Sequence, residues 1–114
     1  MPTILIPNEW KEAVCTILQA EDPSKIQITQ RAQNDFSSQF PNAWRFDLYD
    51  LLKRYLLQPN AQGRLITGLT PPGITYDFIC EYNAEKVYAK INLLNSGDVI
   101  LIVSAHRPLK GDTL

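Results

Sequence analysis

The chain has 114 residues, with 11 Lys and Arg against 12 Asp and Glu, and 45% of it is hydrophobic. A chain of this length forms one domain (1–114) and buries roughly two thirds of the surface it exposes when unfolded, so a core is expected without staples. The composition excludes a disordered tail and a disulfide-dense miniprotein, and a net charge of -1 excludes a broadly basic nucleic-acid coat while leaving room for a local basic patch.

Cys15 and Cys80 stand apart, with no Cys-x-x-Cys, and the chain has a single histidine, so no metal or other cofactor is expected. Isolated thiols in apolar surroundings read as reduced core residues. The opening MPTILIPNEW lacks the basic n-region, long apolar core and cleavage site of a signal peptide. No apolar run approaches the ~20 residues that span a bilayer. A soluble, cytoplasmic protein without a membrane partner is the expectation.

In chain order, Asn8 is placed to cap a helix over residues 9–19, whose apolar stripe is Trp10, Val14, Ile17 and Leu18. Glu-Asp-Pro-Ser at 21–24 breaks it. Residues 25–29 alternate as a short strand, and Thr29 caps a second helix to about residue 39, with Ala32, Phe36 and Phe40 on one side. A third helix over 44–57 carries Trp44, Leu48, Leu51, Leu52, Tyr55 and Leu56, with Asp47, Asp50, Lys53 and Arg54 opposite. Phe36, Phe40, Trp44 and Phe46 read as core rather than as a binding groove. Lys53 and Arg54 sit where cations complement the helix dipole.

Residues 58–63 read as a loop, 64–69 as an extended segment and Thr70-Pro71-Pro72-Gly73 as a turn. Three runs follow, 74–82, 85–94 and 98–106, separated by short turns, which predicts an antiparallel meander. The tail 107–114 reads as irregular. The fold class is therefore α+β, with two to three N-terminal helices packed on one face of a C-terminal antiparallel meander.

Asn95-Ser96-Gly97 fits a three-residue loop, which sets Leu94 opposite Asp98, Lys90 opposite Ile102, Tyr88 opposite Ser104 and Lys86 opposite His106. Asn83-Ala84 as a two-residue loop sets Tyr82 opposite Glu85, Glu81 opposite Lys86 and Asp77 opposite Lys90. One face then collects Ile74, Tyr76, Phe78, Cys80, Tyr82, Val87, Ala89, Ile91, Leu93, Val99, Leu101, Val103 and Ala105. The other collects Asp77, Glu81, Lys86, Tyr88, Lys90, Asn92, Ile100, Ile102, Ser104 and His106.

The polar face holds the ingredients of phosphodiester chemistry without a metal. Histidine is the side chain suited to either proton role at neutral pH, so His106 is the candidate acid or base, while Lys90 or Arg107 stabilises developing charge and Tyr88 stacks on a base or relays a proton. The same residues also describe a solvated face, on which Asp77–Lys90 and Glu81–Lys86 are cross-strand pairs worth under ~1 kcal/mol each.

The chain resembles the RelE/ParE-like superfamily of small ribonuclease toxins, and within it the MqsR-like interferases, over about residues 25–106. The likeness is carried by Ile26-Gln27-Ile28-Thr29 leading into Gln30-Arg31-Ala32, by the helix from Asp47 to Lys53, and by the hairpin Val87-Tyr88-Ala89-Lys90-Ile91 with Val99-Ile100-Leu101-Ile102-Val103-Ser104 and a basic residue after the serine. It implies a RelE-like fold and a toxin of a toxin–antitoxin system. The implied activity is a metal-independent endoribonuclease acting by 2′-OH attack to a 2′,3′-cyclic phosphate. The family's hairpin tyrosine falls on Tyr88, its terminal basic residue on His106 and its helical lysine on Lys53, with Arg54 beside it. His106, Tyr88 and Lys90 are then the catalytic candidates, and Arg107, Ser104, Lys86, Lys53 and Arg54 the substrate-binding ones. RNA is the implied substrate and a small antitoxin or immunity protein the implied partner, with no DNA bound by the chain itself. The alternative is a non-enzymatic interaction protein, an antitoxin or immunity protein or a RelE-like domain without catalysis, which the acidic balance suits.

Overall fold

Residues 3–109 are described by the computed structural model. They run β1 (Ile4–Leu5), α1 (Asn8–Ala20), β2 (Ile26–Ile28), α2 (Gln30–Gln39), α3 (Arg45–Leu56), β3 (Gln62–Ile66), β4 (Gly73–Tyr82), β5 (Glu85–Leu94) and β6 (Ile100–His106). Among the described residues the strands form one sheet in the order β1-β3-β4-β5-β6-β2, antiparallel throughout except where β2 runs parallel to β6. The class is α+β, but the strands are not confined to the C-terminal half. A three-strand meander leaves two edges of unpaired backbone, and the chain covers one with β3 and the two-residue β1 and the other with the three-residue β2. The expected irregular tail lies outside the described residues from Lys110 onward. Among the described residues no helix is long and apolar enough to cross a membrane.

The helices reach the sheet through aromatic rings. Trp10 of α1 meets Tyr76 edge-on at 5.0 Å and donates its indole N–H to the Ile74 carbonyl at 2.8 Å. Tyr55 of α3 stacks on Phe78 at 5.2 Å, and Phe40 at the end of α2 meets Tyr82 at 5.8 Å. Tyr76, Phe78 and Tyr82 alternate along β4 and so share one face. Around them Val14, Leu18, Leu48, Leu52, Leu56, Ile91, Ile100 and Ile102 are buried in a single core.

Two helix starts depart from expectation. Asn8 is the first helical residue, not the cap, and the Pro7 carbonyl accepts from Lys11 N–H at 3.1 Å. At α3 the cap position is Trp44, whose own N–H is taken by the Asp47 carboxylate at 2.7 Å. Trp44 and Phe46 are therefore not core: they are 76% and 56% exposed, while Phe36 and Phe40 are buried. The second helix starts as read, Thr29 Oγ1 accepting from Ala32 N–H at 3.1 Å.

The β4–β5 hairpin has the expected register, Tyr82 opposite Glu85 and Asp77 opposite Lys90. Its turn places both Asn83 (φ 50) and Ala84 (φ 66) in the left-handed region, as a primed two-residue turn requires. The β5–β6 hairpin corrects the sequence reading. Leu94 N–H donates to Val99 O at 3.0 Å, so the loop has four residues, and the register becomes Leu93↔Ile100 and Ile91↔Ile102. That one-residue change turns Ile100 and Ile102 inward and Val99 and Leu101 outward. A bulge at Val103 then shifts the pairing once more, to Lys90↔Ser104, Ala89↔Ala105 and Tyr88↔His106. The two shifts together restore the outward parity of Ser104 and His106 but move their partners by two residues.

Two outcomes test this account. Ala84→Gly relieves the left-handed strain and is expected to stabilise the chain by ~0.5–1 kcal/mol in urea titration, the strain of ~1–2 kcal/mol being offset in part by glycine's added unfolded-state entropy. The second concerns Cys80. Burial pushes its thiol from 9.0 up to about 12, and burial also raises Cys15. Both thiols are expected to be inert to a thiol reagent in the folded chain and to react in denaturant. The unfolded chain releases the Cys80 proton above 9.0 while the folded chain holds it to about 12, so this contribution to stability is complete below the unfolded value and declines as pH rises through that window. Replacing Cys80 with Ala removes that part of the slope.

Candidate functional site

The antiparallel registers of β3 to β6 bring Arg64, Thr75, Asp77, Tyr88, Lys90, Asn92, Ser104 and His106 to the sheet face opposite the helices. A purely solvated face would leave them open to water. Instead Thr75, Asp77, Tyr88, Asn92 and His106 are all buried. At one end the segment before β4 closes down on the sheet, the Asn92 amide N–H donating to the Pro71 carbonyl at 2.8 Å. Gly73 is required for this approach, because a Cβ there would collide with Asn92 Oδ1 and the Leu93 carbonyl.

Asp77 is the centre of the face. Its side chain is wholly buried, a position in which a carboxylate is tolerated only if paired and hydrogen-bonded. Arg64 on β3 supplies a fork, Nε to Oδ1 at 3.0 Å and Nη2 to Oδ2 at 2.6 Å. From the other side the Tyr88 hydroxyl donates to Oδ2 at 2.6 Å. These hydrogen bonds raise the Arg64 pKa further above its ordinary value, so the guanidinium stays charged.

Tyr88 in turn fixes His106. The two rings lie directly across the β5–β6 pair and stack with centroids 5.2 Å apart. His106 Nδ1 stands 2.7 Å from the Arg107 carbonyl. A carbonyl only accepts, so in this contact Nδ1 carries the proton, and in the neutral ring Nε2 holds the lone pair. The arrangement presents one imidazole nitrogen as a proton acceptor and holds the ring through a chain that runs back to Asp77 and Arg64.

Of the residues nominated from sequence, Tyr88, Lys90, Ser104 and His106 are brought together, with Lys86 on the same face two residues beyond Tyr88 and opposite Glu81. The expected Asp77–Lys90 ion pair does not form, because the Asp77 carboxylate is held by Arg64 and Tyr88. Lys90 has no ion pair among the described residues. The other three nominees are elsewhere. Arg107 follows His106 and lies against the helix side, its guanidinium 3.1 Å from Glu85 and over the Phe40 ring at 5.2 Å. Lys53 bonds Gln19 and Arg54 bonds Asp50, both on α3 and engaged within the helical layer.

Sequence reasoning missed Arg64 altogether and took Asp77 for a surface partner of Lys90. The available signal was an isolated Arg in a short extended run next to a strand with a single Asp between two aromatic residues, Tyr76 and Phe78. Among the described residues no group of three or more His, Cys, Asp or Glu side chains is placed to hold a metal ion. No protein-family model, curated protein or solved structure matches the chain.

The network predicts a specific stability pattern. Arg64→Met strands a buried carboxylate and is expected to cost ~3–5 kcal/mol by chemical denaturation. The double variant Arg64→Met, Asp77→Leu is expected to recover most of that loss. A double variant as unstable as the sum of its parts contradicts the pairing.

Proposed function

We propose that this chain is a RelE-like ribonuclease of the toxin type, cleaving RNA at the sheet face opposite the helices. The observation that carries the reading is the juxtaposition of Tyr88 with His106 and of Lys90 with Ser104 across one strand pair, with His106 Nδ1 engaged by a backbone carbonyl and Lys90 outside any ion pair among the described residues.

In the proposed reaction His106 Nε2 takes the proton of a ribose 2′-OH as the O2′–P bond forms and the P–O5′ bond breaks. The products are a 2′,3′-cyclic phosphate and a 5′-hydroxyl. Lys90 binds the phosphate, offsets the charge gathering on it and supplies the proton that the departing 5′-oxygen needs. Ser104 adds a hydroxyl donor beside it. Tyr88 holds the imidazole plane while its own hydroxyl is tied to Asp77, which makes it a stacking and positioning residue and leaves the proton traffic to His106 and Lys90. Asp77 and Arg64 act through Tyr88. No step requires a cofactor. A small antitoxin or immunity protein that covers this face is the partner such an activity calls for.

The test is induced expression of the wild type beside His106→Ala and Lys90→Ala, with folded protein levels matched by circular dichroism and immunoblotting. The wild type is expected to arrest growth and to leave RNA fragments ending in cyclic phosphate. Each variant is expected to relieve the arrest, with cleavage by His106→Ala lowered by ~10²–10⁴. Healthy growth with intact RNA under the wild type would sink the proposal.

A further inference from the structure

A cavity of about 700 Å³ opens between α2 and α3, in the helical layer and apart from the residues of the Asp77 face. Its floor is apolar, from the buried Phe36 and Leu48 and the half-buried Ile28. Its rim is the consecutive run Trp44, Arg45 and Phe46. A volume of this size is in the range of sites that take a ligand or an anchoring side chain.

Two of the three rim residues run against the stability of their own helix. Trp44 stands at the cap position, where Ser, Thr, Asp or Asn is favoured, and its side chain makes no capping bond. Arg45 is the first helical residue, where the dipole disfavours a cation. Phe46 follows, and both aromatic rings are left mostly in water. Arg45 is also the one charged side chain among the residues lining the groove, and it makes no ion pair with any described residue. Exposed Trp and Phe beside an uncommitted Arg is the composition of an interface centre. Phe46 keeps an edge-on contact with Tyr49 at 6.1 Å, whereas Trp44 and Arg45 break local rules side by side with neither a capping bond nor a described ion pair in return, and that combination marks a functional surface.

We propose that this groove docks an acidic segment of a partner protein, with an aliphatic or aromatic side chain seated on Phe36 and Leu48 and a carboxylate meeting Arg45. The charge of the rim selects the acidic segment, and the breadth of exposed aromatic surface selects a polypeptide. The inference stands apart from the ribonuclease reading, since none of these residues lies on the face of Asp77 and His106.

The experiment is a random peptide library displayed on phage and panned against the intact chain, with the converged peptide then synthesised. The expected consensus combines Asp or Glu with Leu, Ile, Phe or Trp. Trp44 is 76% exposed and Trp10 4% exposed, so binding is expected to protect the acrylamide-quenchable fluorescence, which belongs to Trp44. Arg45→Glu and Trp44→Asp are expected to weaken the peptide by about tenfold or more. Both substitutions place residues that helix starts favour, so both are expected to keep or raise the melting temperature, and lost binding is then not lost folding. Failure of the library to converge, a basic or uncharged consensus, or undiminished binding by these variants overturns the proposal. So does concentration-dependent dimerisation abolished by Trp44→Asp, which would make a second copy of the chain the occupant.

Discussion

Strand β6 has to serve both faces of the sheet, and the extra residue at Val103 is what allows it. Side chains on a strand alternate strictly, so a regular strand with Ile100 and Ile102 inward would carry Ser104 and His106 inward as well. The bulge between the Ile91 and Lys90 pairings breaks the alternation once. Ile100 and Ile102 stay in the core, Ala105 returns to it, and Ser104 and His106 emerge opposite Lys90 and Tyr88. Thr29 holds the bulge from outside. Its hydroxyl donates to the Val103 carbonyl at 3.1 Å and accepts from the Ala32 N–H, while its own N–H donates to Ile102 O. One side chain thus joins the start of α2, the parallel pairing of β2 and the irregularity that sets the face of His106.

Once the face is set, the buried Asp77 makes it rigid. A carboxylate without solvent contact ties its partners to a narrow range of positions, because any slackening leaves a charge uncompensated. Arg64 and Tyr88 approach it from opposite neighbouring strands, so the network spans β3, β4 and β5, and stacking extends it to His106 on β6. The consequence is an imidazole whose plane and whose protonated nitrogen are both fixed before any ligand arrives. Preorganisation of that kind is what proton transfer and charge stabilisation require.

Much of the fold was legible because local signals agreed. The stripe of Trp10, Val14, Ile17 and Leu18 gave α1, and the Thr29 cap gave the start of α2. The clean alternation from Ile74 to Tyr82 against Glu85 to Leu94 gave the first hairpin and its register. The β5–β6 register was not legible for a physical reason. Residues 99–103, Val-Ile-Leu-Ile-Val, are all apolar, so every register places an acceptable residue on each face and the pattern carries no parity. Only the loop hydrogen bonds and the bulge decide it. Arg64 was hidden by distance, since its partner lies across a turn on the next strand and nothing near it in the chain announces a buried charge. Trp44 and Phe46 were misplaced because helical spacing fits a core stripe as well as an exposed rim.

The two surfaces differ in how far their polar groups are committed within the fold. On the sheet face opposite the helices Arg64, Asp77 and the Tyr88 hydroxyl bind one another, and their joint effect is to steady a single ring. The Lys90 ammonium stays outside any described ion pair, and no described side chain bonds His106 Nε2. At the groove the opposite holds. The backbone there is satisfied, Asp47 having taken the Trp44 N–H, and Phe46 meets Tyr49 edge-on within α3, whereas the Trp44 indole and the Arg45 guanidinium contribute little to the helix they begin. An exposed indole beside a guanidinium outside any described ion pair is the composition that interface centres favour, and the surface complementary to the two together is apolar and anionic.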